Sequence, residues 1–338
     1  MDERNQTVLR VGGYDDLLAV VPYRLGFHPA DSLVVLTLQG PRQRVGVVVR
    51  LDLPPLEHVD AVAESTVALL AEQRSRRVVV VVYAAEDTVA GPLVGAVRAR
   101  LDQAGIDLAD ACRADGRRWF SYTCAEACCP AAGTPYDVAS HPLAAQCVLA
   151  GQVALDSRDE LRGTVAPLGG ITRQAMDQAY VRVRPELQAQ LSVPGADRRA
   201  ALRRHATEVR RTVESYVAEP RRLRDDEVAR LSIQVSAIPV RDTAWALMCR
   251  ATAERHLSLW QQVLRRSDRD LVPAVACLTA FAAWLAGHGA LAWCAVERAQ
   301  EVDPSYSWAA LLAEALARGI SPRVWTAPPE ALLHDLAG

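Results

Sequence analysis

The stretch Val78-Val79-Val80-Val81-Val82-Tyr83 decides the fold class of this chain. An uninterrupted run of β-branched residues is typical of a central strand that is covered on both faces. Helical patterns at residues 59–73 and 93–104 precede and follow the run, with apolar side chains three and four residues apart. Helices that alternate with apolar strands predict an α/β domain.

Two further apolar runs lie closer to the N-terminus, at residues 33–38 and 45–51. A short polar loop joins them, so the two runs predict a β-hairpin. A helix is expected at residues 14–24, and another strand at residues 106–112. We therefore predict an α/β N-terminal domain, a mixed sheet with flanking helices, over residues 1–168.

After residue 171 strand patterns almost vanish, and helical patterns separated by proline or glycine replace them. These patterns predict an all-helical domain over residues 169–338. Within it, the small residues and proline that follow Trp284 and Gly287 have the spacing found in the second helix of a tetratricopeptide hairpin; they are Ala292, Ala299 and Asp303-Pro304. One such unit is recognisable, and we expect a C-terminal domain of tetratricopeptide-like helical hairpins.

An apolar run within this domain is long enough to cross a membrane. Residues 271–296 contain no Asp, Glu or Arg. The run is rich in alanine, however, and Gly287-His288-Gly289 interrupts it where two helices would turn. Because insertion into a bilayer favours more strongly apolar residues, the run predicts a buried helical hairpin and no membrane span.

Composition excludes several classes of function. The chain has 338 residues and a formal net charge of −2, and all of its 38 basic residues are arginine. Without lysine, neither a lysine nucleophile nor a P-loop is available. The near-neutral charge argues against a nucleic-acid partner. Even the most basic segment, residues 171–230, has thirteen arginines against nine acidic residues, which is typical of solvated helices.

The N-terminal sequence bears on the cellular compartment. Residues 1–10 carry charged side chains and no apolar segment of signal-peptide length. We therefore expect a cytoplasmic protein. In that reducing compartment its eight cysteines are expected to be thiols for the most part.

The strongest local motif is a cluster of cysteines at residues 124–130, Cys-Ala-Glu-Ala-Cys-Cys-Pro. As thiolates, Cys124, Cys128 and Cys129 could bind zinc, with a fourth ligand from Cys112, Cys147 or His141. Structural zinc sites usually have two separated pairs of ligands, however, and no second pair is present. We therefore favour a packed turn with free thiols, and a zinc site and a redox or disulfide role stay open as alternatives.

No other cofactor motif occurs in the sequence. A strand followed by Gly-x-Gly-x-x-Gly, the His-Glu-x-x-His motif and the EF-hand loop are all missing. Zinc is therefore the one cofactor that we consider, and we expect no other.

A second candidate site precedes the strand at residues 33–38. His28, Asp31 and Ser32 are residue types that could perform acid–base or nucleophilic catalysis. Alternatively, Asp31 and Ser32 satisfy backbone groups of a turn while Phe27 fills the core. We favour this second interpretation, because no Gly-x-Ser-x-Gly motif accompanies the segment.

Tryptophan is concentrated in the helical half of the chain. Six of the seven tryptophans lie in the last hundred residues. Their usual role is to fill space between helices, whereas an exposed subset marks a binding surface. Trp284, Trp293 and Trp308 are the candidates for such a surface.

Three segments resemble an actinobacterial family that is known only as a domain of unknown function. The first, residues 25–36, reads Leu-Gly-Phe-His-Pro-Ala-Asp-Ser-Leu-Val-Val-Leu, and the second is Cys128-Cys129-Pro130. The third, residues 284–292, reads Trp-Leu-Ala-Gly-His-Gly-Ala-Leu-Ala. The resemblance spans nearly the whole chain. It implies an actinobacterial cytoplasmic protein, which explains the exclusive use of arginine, and it implies no activity or catalytic residue.

These observations favour a non-catalytic interaction or regulatory module that binds a protein partner. The alternative is an enzyme or a small-ligand-binding protein. Its pocket would lie near His28, Asp31 and Ser32, or at a cysteine-rich β-hairpin. We expect that hairpin where the alternating aromatic residues 119–122 lead into the Cys-Pro-Gly turn of Cys124 to Cys129.

Overall fold

The computed structural model describes residues 12–40, 43–192 and 194–328. The chain folds as two compact units, residues 1–158 and residues 159–338.

The division between the two units lies before the predicted boundary at residue 168. Leu161 and Val165 are buried, and the backbone N–H of Leu168 donates a hydrogen bond of 2.8 Å to the carbonyl of Arg265. These contacts tie residues 159–168 to the helical unit.

The first unit contains one mixed six-stranded sheet, as predicted. The strand order is β2-β1-β3-β4-β5-β6, and β3 and β4 form its one parallel pair in the described residues. The strands are β1 (Ser32–Gln39), β2 (Arg44–Asp52), β3 (Arg77–Tyr83), β4 (Asp107–Ala114), β5 (Arg118–Ser121) and β6 (Thr134–Pro135).

The valine run forms strand β3 in the middle of this sheet. All five valines are buried. Val78, Val80 and Val82 belong to a core that includes side chains of the helices at residues 59–72 and 87–104. Because side chains alternate across a strand, Val79 and Val81 point to the opposite face, and they are buried as well. A strand covered on both faces therefore explains the sequence.

Four helices belong to the first unit. The predicted hairpin of β1 and β2 is also present, with Val34 opposite Arg50. Helices α2 and α3 pack against each other, as do α1 and α4. The helices are α1 (Tyr14–Leu25), α2 (Val59–Glu72), α3 (Asp87–Ala104) and α4 (Pro142–Leu149).

The second unit is helical, and its described residues form no strand. The prediction of a helical second half is thereby confirmed. Its helices are α5 (Arg158–Gly163), α6 (Gly170–Leu191), α7 (Gly195–Ala218), α8 (Asp225–Gln234), α9 (Ile238–Ala246), α10 (Ala253–Leu264), α11 (Val272–Ala286), α12 (Gly289–Gln300) and α13 (Ser307–Ala317).

The apolar run of the sequence forms α11 and most of α12. One helical segment of the described chain, Arg269–Ala286, is long and apolar enough to cross a membrane, and 78% of it is buried inside the protein. Gly287 ends α11 with a φ of 89°, a left-handed conformation that glycine adopts readily. The two helices then pack against each other, so the turn at residues 287–288 lies where the sequence placed it.

Candidate functional site

The three clustered cysteines lie in the chain that connects β5 to β6. We call residues 124–130 the cysteine turn. The Sγ atoms of Cys124 and Cys128 are 3.7 Å apart, and those of Cys128 and Cys129 are 3.9 Å apart. All three sulfurs lie within 4.8 Å of one another, and no other such group of three Cys, His, Asp or Glu side chains occurs in the described residues. Cys128 is exposed, and the other two are half-buried.

A polar cluster supports the start of the cysteine turn. The Ser121 hydroxyl accepts the backbone N–H of Cys124 at 3.0 Å and lies 3.0 Å from the hydroxyl of Tyr14. Asp110 of β4 accepts hydrogen bonds from the hydroxyls of Tyr14 and Thr123. Burial and the neighbouring Asp110 raise the pKa of Tyr14. The cluster thus joins α1, β4 and β5 beneath the turn.

Backbone hydrogen bonds close the far side of the turn. The N–H of Cys129 donates to the carbonyl of Glu126 at 2.8 Å, and the N–H of Gly133 donates to the carbonyl of Pro130 at 2.8 Å. The guanidinium of Arg118 donates to the carbonyl of Gly133 at 2.8 Å. These bonds return the chain to the sheet, where Thr134 lies opposite Trp119.

The thiols of Cys124 and Cys129 differ in acidity. The backbone N–H of Glu126 and the thiols of Cys129 and Cys128 lower the pKa of the Cys124 thiol. Desolvation, together with the sulfurs of Cys124 and Cys128, raises the pKa of Cys129 to about 12. Cys124 is therefore the sulfur that loses its proton more readily.

The predicted fourth ligands do not join the three sulfurs. Cys112 and Cys147 are buried, and burial raises the pKa of each thiol. His141 caps helix α4: its Nδ1 accepts the backbone N–H of Leu143 at 3.2 Å, and its Nε2 lies 3.3 Å from Asp16. The group therefore consists of three cysteines.

The other predicted site, the His28 turn at residues 26–32, has a different organisation. The Ser32 side chain is fully buried. Its hydroxyl donates to the carbonyl of Ala30 at 2.5 Å and accepts from Nη2 of Arg50 at 2.8 Å. Asp31 and His28 are exposed, and the described residues show no hydrogen bond between the side chains of His28, Asp31 and Ser32.

In the helical unit an aromatic cluster forms around Trp245. Its ring centroid lies 4.8 Å from that of Trp325, 5.7 Å from that of Phe281 and 6.2 Å from that of Trp308. Trp284 contacts Phe281 and donates its indole N–H to the carbonyl of Ile320 at 2.8 Å. Trp284 and Trp308 are half-buried.

Trp293, the third predicted tryptophan of the surface, is half-buried and has no ring contact among the described residues. Trp245 and Trp325, which lie at the centre of the cluster, were not among the tryptophans predicted for a surface. The concentration of tryptophans was the available signal, but it did not show which of them meet.

Arg241 connects two helices at the edge of the aromatic cluster. Its guanidinium carbon lies 4.6 Å from the centre of the Trp308 ring, and it donates to the Tyr306 hydroxyl at 2.8 Å. Ile238 and Leu311, on the same two helices, are 60% and 64% exposed. Each of the two helices that carry Trp245 and Trp308 thus also presents an exposed apolar side chain.

Two cavities of about 250 and 290 Å³ are found in the helical unit. Opposite charges line both of them. Glu208, Arg211 and Arg230 line the first, and Arg162 and Glu301, which form an ion pair, line the second. Neither cavity is lined by the His28 turn or the cysteine turn.

The fold and the cysteine turn define a two-unit protein with a mixed α/β unit, a three-thiol cluster and a helical unit. The chain belongs to the family described as Domain of unknown function (DUF4192), whose model matches residues 15–323. The expectation of an uncharacterised family that spans nearly the whole chain is thereby confirmed. No curated protein and no solved structure matches the chain.

Proposed function

We propose that this protein is a non-catalytic interaction or regulatory protein of the cytoplasm, and that its helical unit binds a protein partner. The observation that carries the proposal is the half-buried aromatic cluster around Trp245 with exposed apolar side chains at its edge. Aromatic and arginine side chains in such a setting are the usual anchors of protein interfaces.

The partner-binding face is formed by two helices. On α9, Ile238, Arg241 and Trp245 are spaced by three and four residues, which places them on one side of the helix. On α13, Trp308 and Leu311 are spaced by three residues. The contact of Arg241 with Trp308 joins the two sides into one surface. An apolar segment of a partner protein is the ligand that this surface fits.

We also propose that the helical unit is built of tetratricopeptide-like hairpins. The packing of successive helices supports this. Helix α10 packs against α11, α11 against α12, and α12 against α13. Two residues separate α11 from α12, and connections this short join antiparallel neighbours. Arrays of helical hairpins offer extended surfaces to protein ligands.

Other properties favour a soluble actinobacterial protein. None of the eight cysteines forms a disulfide in the described structure, which fits a reducing cytoplasm. The exclusive use of arginine fits an actinobacterial source. Burial of α11 favours a core helix and no membrane contact.

Charge also makes nucleic acid an unfavourable partner, because the basic residues are balanced by acidic ones. Several arginines of the most basic segment form ion pairs, as Arg182 does with Asp226 and Arg221 with Glu227. Their charge is thus compensated within the protein.

The enzymatic alternative has less support. The hydroxyl of Ser32 is buried and engaged by Arg50, so it is not placed to attack a substrate. The two described cavities also lie away from both predicted catalytic segments in the chain.

Variants of the exposed apolar side chains test the proposal. The tagged full-length chain is expressed in its native host, cross-linked and purified, and the co-purified proteins are quantified. Replacing Ile238 and Leu311 by Glu should reduce recovery of a specific partner at least about tenfold, because charge is introduced into an apolar contact. Both side chains are exposed, so the fold should be retained.

Val181→Glu is the matched control, because Val181 is 75% exposed on α6 and outside the face. Equal losses in the control and the double variant, or no loss in either, would refute the proposed face.

A further inference from the structure

The cysteine turn supports an inference that goes beyond partner binding. Its three sulfurs converge although two of the side chains are half-buried and one is exposed. Small solvent-accessible side chains in a turn have room to diverge. Here the backbone directs all three sulfurs to one point.

The distances between the sulfurs match those around a bound metal ion. Zinc binds thiolate sulfur at about 2.3 Å, and tetrahedral geometry then places two sulfurs about 3.8 Å apart. The measured separations are 3.7 and 3.9 Å. A disulfide would instead require a separation of about 2.05 Å and would leave the third sulfur without a role.

The turn holds this arrangement by contacts outside the sulfurs themselves. Ser121 fixes the backbone N–H of Cys124, and the carbonyl of Glu126 fixes that of Cys129. Arg118 holds the end of the loop through the carbonyl of Gly133. A supporting shell of this kind orients metal ligands before the ion arrives.

We propose that Cys124, Cys128 and Cys129 bind one zinc ion as thiolates. Each sulfur that binds the metal loses its proton to the solvent as the S–Zn bond forms. Cys112 and Cys147 are buried and His141 is engaged by Leu143 and Asp16, so the fourth position is taken by water in the isolated chain. Three protein ligands leave one exchangeable position on the ion, which an external ligand such as imidazole can occupy.

Cobalt replaces zinc as a visible probe in the test. The full-length chain is reduced with a phosphine, freed of metal and titrated with Co²⁺. The expected result is a thiolate-to-cobalt absorption band that saturates at about one ion per chain and disappears when Zn²⁺ is added. Imidazole should then shift the visible cobalt bands, since it can occupy the open position.

Variants show whether the three sulfurs are the ligands. Cys128→Ser should weaken binding more than about 100-fold, which exceeds the loss expected from an outer-shell residue. Cys249→Ser is the control, because Cys249 is half-buried like Cys124 and Cys129, lies outside the turn, and its sulfur contacts Thr252 at 3.3 Å. Circular dichroism of each variant reports whether the fold is retained.

A second measurement uses the wild-type chain alone. Zinc should protect Cys124, Cys128 and Cys129 from alkylation, as read by mass spectrometry, while Cys249 stays reactive. The proposal is overturned if reduced wild type shows no thiolate band at saturating cobalt, if zinc protects none of the three thiols, or if Cys128→Ser binds as tightly as the control. Bands that do not respond to imidazole would overturn the open fourth position.

Discussion

The His28 turn and the cysteine turn both adjoin strands of the same sheet, and both carry side chains capable of chemistry. In the His28 turn the most reactive hydroxyl, that of Ser32, is fully buried and bonded to Ala30 and Arg50. In the cysteine turn the backbone N–H groups of Cys124 and Cys129 are bonded to the Ser121 hydroxyl and to the carbonyl of Glu126. The three sulfurs are left facing one another.

The two turns differ in which of their polar atoms already have hydrogen-bond partners within the fold. A buried hydroxyl that accepts two N–H groups of one guanidinium and donates to a carbonyl stabilises the protein and has little freedom to react. A set of sulfurs oriented by other groups keeps its own bonding capacity for a ligand. Substitutions in the His28 turn should therefore change stability, and those in the cysteine turn should change binding.

The largest expected effect is on the stability of the first unit. Phe27 is 1% exposed, and Phe27→Ala should lower the free energy of unfolding by about 4 kcal/mol, because a large aromatic side chain leaves the core. Hydrogen exchange of amides in β1 and β3 measures this locally. Cys128→Ala, at an exposed site, should cost less than about 0.5 kcal/mol. Similar losses of unfolding free energy in Phe27→Ala and Cys128→Ala would contradict the proposed difference between the two turns.

A smaller effect is expected for the hydroxyl of the His28 turn. Ser32→Ala removes the acceptor of two N–H groups of Arg50, whose side chain is 15% exposed. A lost hydrogen bond to a charged group costs about 2 kcal/mol in stability. Ser65→Ala on the exposed side of α2 is the control, with an expected change below about 0.5 kcal/mol. Hydrogen exchange measures the stability of both variants. Unchanged amide protection in Ser32→Ala would contradict the structural role of the Ser32 hydroxyl.

The central sheet could be predicted from the sequence because its signals are local. A run of five valines indicates a strand covered on both faces, and the apolar runs that form β1 and β2 indicate their hairpin. The antiparallel pairing of β1 with β3 has no such signal, because it depends on contacts between distant segments. Strand β6 has two residues and is too short to leave a pattern.

The candidate site could be predicted only in its residue types. Cys124, Cys128 and Cys129 were identifiable as metal ligands, but their convergence depends on Ser121 and on partners such as Tyr14, more than a hundred residues away. The spacing of ligands also suggested a fourth one from Cys112, Cys147 or His141. Strand β4 buries the first, the second is buried on α4, and a helix cap engages the third.

A substitution of Ser121 tests whether the residues that support the cysteine turn contribute to metal binding. Its hydroxyl accepts the N–H of Cys124 at 3.0 Å and that of Thr123 at 3.2 Å. Ser121→Ala should therefore reduce the affinity of the cysteine turn for Zn²⁺ by about tenfold, or about 1.4 kcal/mol, measured by competition with Co²⁺. Ser140→Ala, whose hydroxyl bonds Asp137 in an exposed loop, is the control. Equal affinities in the two variants would show that the shell does not orient the sulfurs.

The smallest expected difference in stability between a variant and its control concerns the glycine that closes the cysteine turn. Gly133 has a φ of +74°, and a Cβ there would lie 2.6 Å from Cε1 of Phe120. Gly116 has a φ of +92° and open space around it, so Gly116→Ala measures the backbone cost alone, about 1 kcal/mol. Gly133→Ala should cost about 1 kcal/mol more, because the Phe120 ring must move. Hydrogen exchange of β5 measures both variants. If the ring moves, the end of the turn moves with it. The Zn²⁺ affinity of Gly133→Ala should therefore fall. Equal stability and equal affinity in the two variants would show that the turn is not held against the sheet at this point.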